Sequence, residues 1–127
     1  MRIDRLDHLV LTVADLDATI EFYAGVLGMT DTVFGDGRHA LAFGASKINL
    51  HQAGHEFEPK ALHPQPGSAD LCFVVEEPIE EILEILTSAG VSIEKGPVDR
   101  TGATGPIHSL YVRDPDQNLI EFSNYTH

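Results

Sequence analysis

Residues 8–13 read "HLVLTV", apolar and β-branched, which predicts a strand. Leu16, Ile20, Tyr23 and Leu27 follow at spacings of four, three and four, one face of a helix. Asp15 is placed to cap that helix and Gly28 to stop it. Three short strands are expected next, near Thr32–Phe34, His39–Phe43 and Lys47–His51. The same order then returns. "DLCFVV" predicts a strand, and Pro78 opens a helix whose apolar face is Ile79, Ile82, Leu83 and Leu86. Glu80 and Glu81 suit its positive end, and Gly90 ends it. Three strands follow, near Ser92–Glu94, Ile107–Arg113 and Asn118–Phe122.

The chain is therefore written twice. His8 falls on Asp70 and Gly28 on Gly90 at a constant spacing of 62 residues. Toward the end of each copy, setting "FGASKINLH" on "RDPDQNLIE" places His51 on Glu121 at a spacing of 70. That leaves eight extra residues in the second copy, assigned to the loop "GPVDRTGATGP". The expected fold is α+β: two βαβββ modules, about 4–53 and 68–125, forming a curved mixed-sheet cup in a single domain over 1–127. The connection "QAGHEFEPKALHPQPGSA" carries three prolines and reads equally as a lid or a plain linker.

Strand alternation sorts the polar residues. Glu121 lies between Ile120 and Phe122, which go to the helix face, so Glu121 takes the other face. The same reasoning puts His8, His51 and Asp70 on the non-helix face. A lone buried carboxylate is costly unless something positive meets it. If the sheets curve around a shared axis, these four groups converge. Two imidazoles and two carboxylates suit a divalent transition ion such as Ni, Zn, Mn, Co or Fe.

Charge narrows the partners. With 8 basic against 20 acidic residues the net charge is −12, which excludes a nucleic-acid backbone or an anionic membrane as a natural partner. Cys72 is the one cysteine, so no intrachain disulfide forms. No stretch reads as a secretory signal or a membrane span, and a cytoplasmic protein is expected.

The doubled pattern, the early "DHLVLTVADLDATIEFY" and the late "YVRDPDQNLIEFSNY" resemble the vicinal oxygen chelate superfamily. That family includes glyoxalase I, extradiol dioxygenases, fosfomycin-resistance enzymes and bleomycin-binding proteins. "INLHQAGHEFEPKALHP" and "GPVDRTGATGPI" resemble more closely the glyoxalase domain-containing protein 5 subgroup. The resemblance implies ligands on the first, fourth, fifth and eighth strands, here His8, His51, Asp70 and Glu121. Glyoxalase I has Glu on the fourth strand and His on the fifth, so two ligand types are exchanged here, and Asp70 can instead orient a histidine. Glu121 resembles the carboxylate that doubles as ligand and catalytic base. Ser109 and Tyr111 match a substrate-facing Ser-x-Tyr, and Arg100 is placed to meet an anionic group.

The leading expectation is a metal-dependent glyoxalase-type lyase or isomerase acting on a small substrate through neighbouring oxygens. One alternative is an Fe(II) extradiol dioxygenase built on His8, His51 and Glu121. Another is a non-enzymatic drug-binding protein of the bleomycin-resistance type, which the acidic charge suits. A homodimer is expected, because pairing would cover exposed apolar sheet faces.

Overall fold

The computed structural model describes residues 1–126. The chain divides into two compact units, one Met1–Ser68 and one starting at Ala69. The first runs β1 (His8–Val13), α1 (Leu16–Ile20), β2 (Thr30–Phe34), β3 (Arg38–Phe43) and β4 (Ser46–Gln52). Its four-stranded sheet has the order β1-β4-β3-β2, with β1 parallel to β4 and the other pairs antiparallel. The second runs β5 (Asp70–Val74), α2 (Ile79–Ser88), β6 (Lys95–Thr101), β7 (Pro106–Arg113) and β8 (Leu119–Tyr125). It repeats the topology as β5-β8-β7-β6. No helix among the described residues is long and apolar enough to cross a membrane.

The caps form as expected. Asp15 Oδ1 accepts from the Ala18 amide at 3.2 Å, and Gly28 takes φ +82. The first helix is not α-helical throughout. After Ile20 it widens into a π-helical stretch, Glu21–Val26, closed by the Leu27 amide donating to Phe22 O at 3.0 Å. The wider turn lets the consecutive Phe22 and Tyr23, both buried, pack edge to face at 5.0 Å. In the second unit, α2 buries Ile79, Ile82 and Leu86 against β7 and β8. Its first amide, Ile79 N, donates to Asn124 Oδ1 of β8 at 2.8 Å. Helix and last strand are thereby tied, and β8 is held with Ile120 and Phe122 inward.

The expected strand at 92–94 is displaced. Strand β6 starts at Lys95 and uses residues assigned above to a loop. Gly96 and Pro97 hide it, because neither favours a strand interior. β6 is an edge strand whose register shifts between Lys95 and Val98, and an edge bulge tolerates both residues. Gly96 is required there. Its φ is +107, and an added Cβ would lie 2.6 Å from Ser109 O and 2.8 Å from Leu110 Cα. Gly96→Ala is expected to cost about 2 kcal/mol or more, measured by urea unfolding.

The ladder registers also revise the repeat. Val10 lies opposite Asn49, and Cys72 lies opposite Glu121. Val10 and Cys72 are counterparts at the spacing of 62, so the counterpart of Glu121 is Asn49, 72 residues away. The second copy is therefore ten residues longer between helix and last strand, not eight. His51 lies opposite Thr12, as Ser123 lies opposite Val74, so His51 corresponds to Ser123. The apolar frames had carried the signal: Ile48 and Leu50 flank Asn49 as Ile120 and Phe122 flank Glu121.

Candidate functional site

In each unit the sheet face away from the helix is polar. On the second unit, Glu121 is half-buried with Tyr111 opposite it on β7 and Cys72 opposite it on β5. Among the described residues no Lys, Arg or His forms an ion pair with Glu121. It is served by hydroxyls instead. Ser123 donates to Glu121 Oε2 at 3.2 Å. With its one proton so committed, Ser123 accepts from Ser109 at 2.6 Å and from the Cys72 thiol at 3.2 Å. Crowding by protein pushes the Cys72 thiol up, and the Glu121 and Asp70 charges add to this, so it stays protonated at neutral pH.

Tyr111 completes the group. Arg100 Nε donates to the Tyr111 hydroxyl at 3.1 Å, and the guanidinium lies 5.7 Å from its ring. Burial raises the Tyr111 pKa, Arg100 opposes the shift, and Glu121 adds to it. Tyr111 therefore keeps its proton at neutral pH, beside Glu121 across the ladder. Two cavities, about 350 and 420 Å³, open on this face and share Arg100, Tyr111 and Glu121. Asp70 lines the first and Cys72 the second. Ser109 is fully buried and supports Ser123 without reaching either cavity lining.

On the first unit, His8 is exposed and its Nδ1 lies 2.8 Å from Asp7 Oδ2. A carboxylate only accepts, so Nδ1 carries the proton in this contact and Nε2 is the nitrogen turned away from Asp7. This contact holds the Asp7 carboxyl below its usual range. Asp7 was missed in the sequence, although the adjacent "DH" was there to read. Asn49 is buried, 6 % exposed, and its Oδ1 has no hydrogen-bond partner. His51 is 3 % exposed and sits one step further along β4, with Nε2 3.5 Å from Arg38 Nη2. His8 lies opposite Lys47 and His51 opposite Thr12, four residues further along, about 13 Å of strand. The two imidazoles therefore do not meet within this unit. Among the described residues no group of three or more His, Cys, Asp or Glu is gathered to hold an ion.

Burial, then the neighbouring Arg38 charge, lowers the His51 pKa from 6.5, with Glu56 opposing. Below that value the unfolded chain binds a proton that the folded one resists. Stability should thus be full above pH 6.5 and fall as pH drops below it, by at most about 1.4 kcal/mol per pH unit. Urea unfolding at pH 7.5 and 5.5 checks this, and His51→Gln should flatten the dependence.

Comparison with known proteins agrees with this architecture. The profile of the Glyoxalase/Bleomycin resistance protein/Dioxygenase superfamily matches residues 5–122. The chain is 60% identical over 125 residues to Virulence protein STM3117 of Salmonella typhimurium, covering 98% of this chain and 87% of that one. The crystal structure of that protein superposes with a TM-score of 0.98, covering 99% of this chain and 100% of that one. The chain is 61% identical over 120 residues to the Glyoxalase domain-containing protein RDO1 of Mycosarcoma maydis, covering 94% of this chain and 68% of that one. Lactoylglutathione lyase from Agrobacterium tumefaciens shares the fold, with a TM-score of 0.74 at 20% identity over 97% of this chain and 95% of that one. A matching profile over nearly the whole length and relatives at this identity lead to one assignment: the chain belongs to the Glyoxalase/Bleomycin resistance protein/Dioxygenase superfamily.

Proposed function

We propose that the chain is a metal-dependent lyase or isomerase of glyoxalase type, acting on a small substrate through neighbouring oxygens. The observation that carries this is Glu121: a half-buried carboxylate beside a cavity, met by hydroxyls and by no ion-pairing cation among the described residues. It is free both to face an incoming cation and to take a proton.

Each unit offers a pair of donors of a kind that suits a divalent ion. Asp70 and Glu121 on the second unit are diagonal neighbours, two residues apart across the β5–β8 ladder. His8 and Asn49 are the corresponding pair across β1 and β4. The unpartnered Asn49 Oδ1 is an oxygen that a cation would satisfy. We therefore read His8 and Asn49 as the donors the first unit would offer to an ion, and Asp70 and Glu121 as those of the second. His51, first assigned to this set, stands in the next row beside the Arg38 cation, a poor place for a metal ligand. A bound divalent ion would supply Lewis-acid stabilisation of developing oxyanion charge.

The chain's own residues do the rest. Glu121 removes a proton from the substrate carbon and returns it. Tyr111, held protonated, hydrogen-bonds the substrate's oxygen, and Arg100 fixes the Tyr111 hydroxyl. Exposed Val10 and Val74 lie on the open faces, and a second copy covering them gives the proposed homodimer.

The test is turnover of α-hydroxycarbonyl compounds in D₂O by the metal-loaded protein, with oxygen uptake recorded alongside. Deuterium is expected at the substrate carbon, with no oxygen consumed. Ring cleavage of a catechol with stoichiometric oxygen uptake would replace this reading with the Fe(II) dioxygenase.

A further inference from the structure

The first unit carries a second polar feature that the proposed chemistry does not use. Lys47 Nζ lies 4.0 Å from the centre of the Phe34 ring, and the Arg38 guanidinium lies 5.0 Å from the same ring. The other flank of Arg38 is the Phe57 ring, at 4.6 Å. Cations and rings thus associate in the order Lys47, Phe34, Arg38, Phe57. The registers put Lys47 and Phe34 on the same face as Arg38 and His51.

What is missing is an acid. In a chain with 20 acidic and 8 basic residues, neither Arg38 nor Lys47 forms an ion pair among the described residues. Two acids have charges that reach this row: Glu56, engaged by the Gly54 amide, and Asp7, whose carboxyl feels Lys47 and is engaged by His8. Arg38 Nε is buried and has no hydrogen-bond partner. The guanidinium is held between rings with Nε closed to solvent and Nη2 3.5 Å from His51 Nε2, so Nη1 at its outer end is the nitrogen left for an anion.

The second unit shows that the fold does not require this. Arg38 and His51 flank the Ala40–Asn49 pair as Ser109 and Ser123 flank the Tyr111–Glu121 pair. The second unit fills those two positions with small hydroxyls that satisfy each other at 2.6 Å. The first fills them with a cation and an imidazole at 3.5 Å. Phe57, from the connection between the repeats, is 38 % exposed and covers both Arg38 and His51, the latter ring at 5.6 Å. An exposed phenylalanine held over a charged group is a clamp for something flat.

We propose that Arg38, braced by Phe34 and Phe57 and reinforced by Lys47, is a recognition site for the carboxylate of a small, flat organic acid. The outer end of a guanidinium pairs with a carboxylate through charge-assisted hydrogen bonds, and Phe57 offers a ring to stack on the acid's body. The β3 amides are spent in the ladder, so no backbone nest adds a preference for phosphate, and the stacking ring favours an acid with a flat body.

The test uses metal-stripped full-length protein and three probes: benzoate, its neutral isostere benzamide, and inorganic phosphate. Binding is followed by the ¹⁵N-resolved Arg38 Nε–H resonance and by calorimetry. Benzoate should saturate and move the Arg38 resonance, with benzamide and phosphate at least roughly tenfold weaker, the worth of one charge-assisted pair. Arg38→Met and, on the loop, Phe57→Leu should each weaken benzoate, Arg38→Met by about tenfold or more. Equal binding of benzoate and benzamide, phosphate binding in preference to benzoate, or an Arg38 resonance unmoved by benzoate would overturn the proposal. The wild-type comparison decides the matter even if one variant fails to fold.

Discussion

Glu121→Gln is expected to lower turnover by about 10³-fold and to weaken divalent-ion binding by at least about tenfold. The substitution keeps the shape of the side chain and an oxygen to accept from Ser123, but removes the charge and the basic lone pair. The fold should hardly notice. Glu121 lies on the open face, and β8 is anchored by Ile120 and Phe122 on the other face, so stability should stay within about 1 kcal/mol. Steady-state kinetics and ion titration of the same preparation separate the two effects. A variant that kept its ion but lost turnover would show a base alone, and one that lost neither would remove Glu121 from the account.

The largest stability effect is expected at a residue outside the site. Asp114 is 3 % exposed at the turn into β8. Its Oδ1 accepts from the Asp116 and Asn118 amides, both at 2.9 Å, and its Oδ2 accepts from Asn118 Nδ2 at 2.8 Å. Asn118 Oδ1 in turn accepts from the Ala69 amide at 2.8 Å, immediately before β5. This turn therefore sets the register of β5 against β8, and with it the placement of Asp70 and Glu121. Asp114→Ala would strand two buried donors and one partly buried at a cost of about 3 kcal/mol, some 10 °C in Tm for a chain of this size. Asp114→Asn should fall between, since its amide meets the Asn118 amide donor to donor. Thermal unfolding of the two variants beside the parent checks the order.

The repeat and the placement of both helices were legible because apolar spacing states them directly. Leu16 to Leu27 and Ile79 to Leu86 have one face each, and Gly28 and Gly90 mark where each ends. Strand β6 was hidden, because Gly96 and Pro97 disguise an edge bulge as a loop. The π-helical stretch was also hidden, since one extra residue in a turn leaves the spacing of apolar residues almost unchanged. At the site, matching charged residue to charged residue put His51 on Glu121. The ladders follow the apolar frame instead and put Asn49 there, an uncharged residue that attracts no notice in a sequence. Arg38 escaped for the opposite reason. A lone arginine near a hairpin reads as solvated until Phe57, nineteen residues further on, is seen to cover it.

The central claim is that Asn49, and not His51, is the first unit's counterpart of Glu121 and the donor it offers to a divalent ion. Calorimetric titration of metal-stripped protein with Mn²⁺ tests it, using Asn49→Leu and His51→Leu beside the parent. The account predicts saturable binding by the parent, weakened about tenfold or more by Asn49→Leu and changed by less than about threefold by His51→Leu. No saturable binding by the parent, or a His51→Leu loss exceeding that of Asn49→Leu, would contradict it.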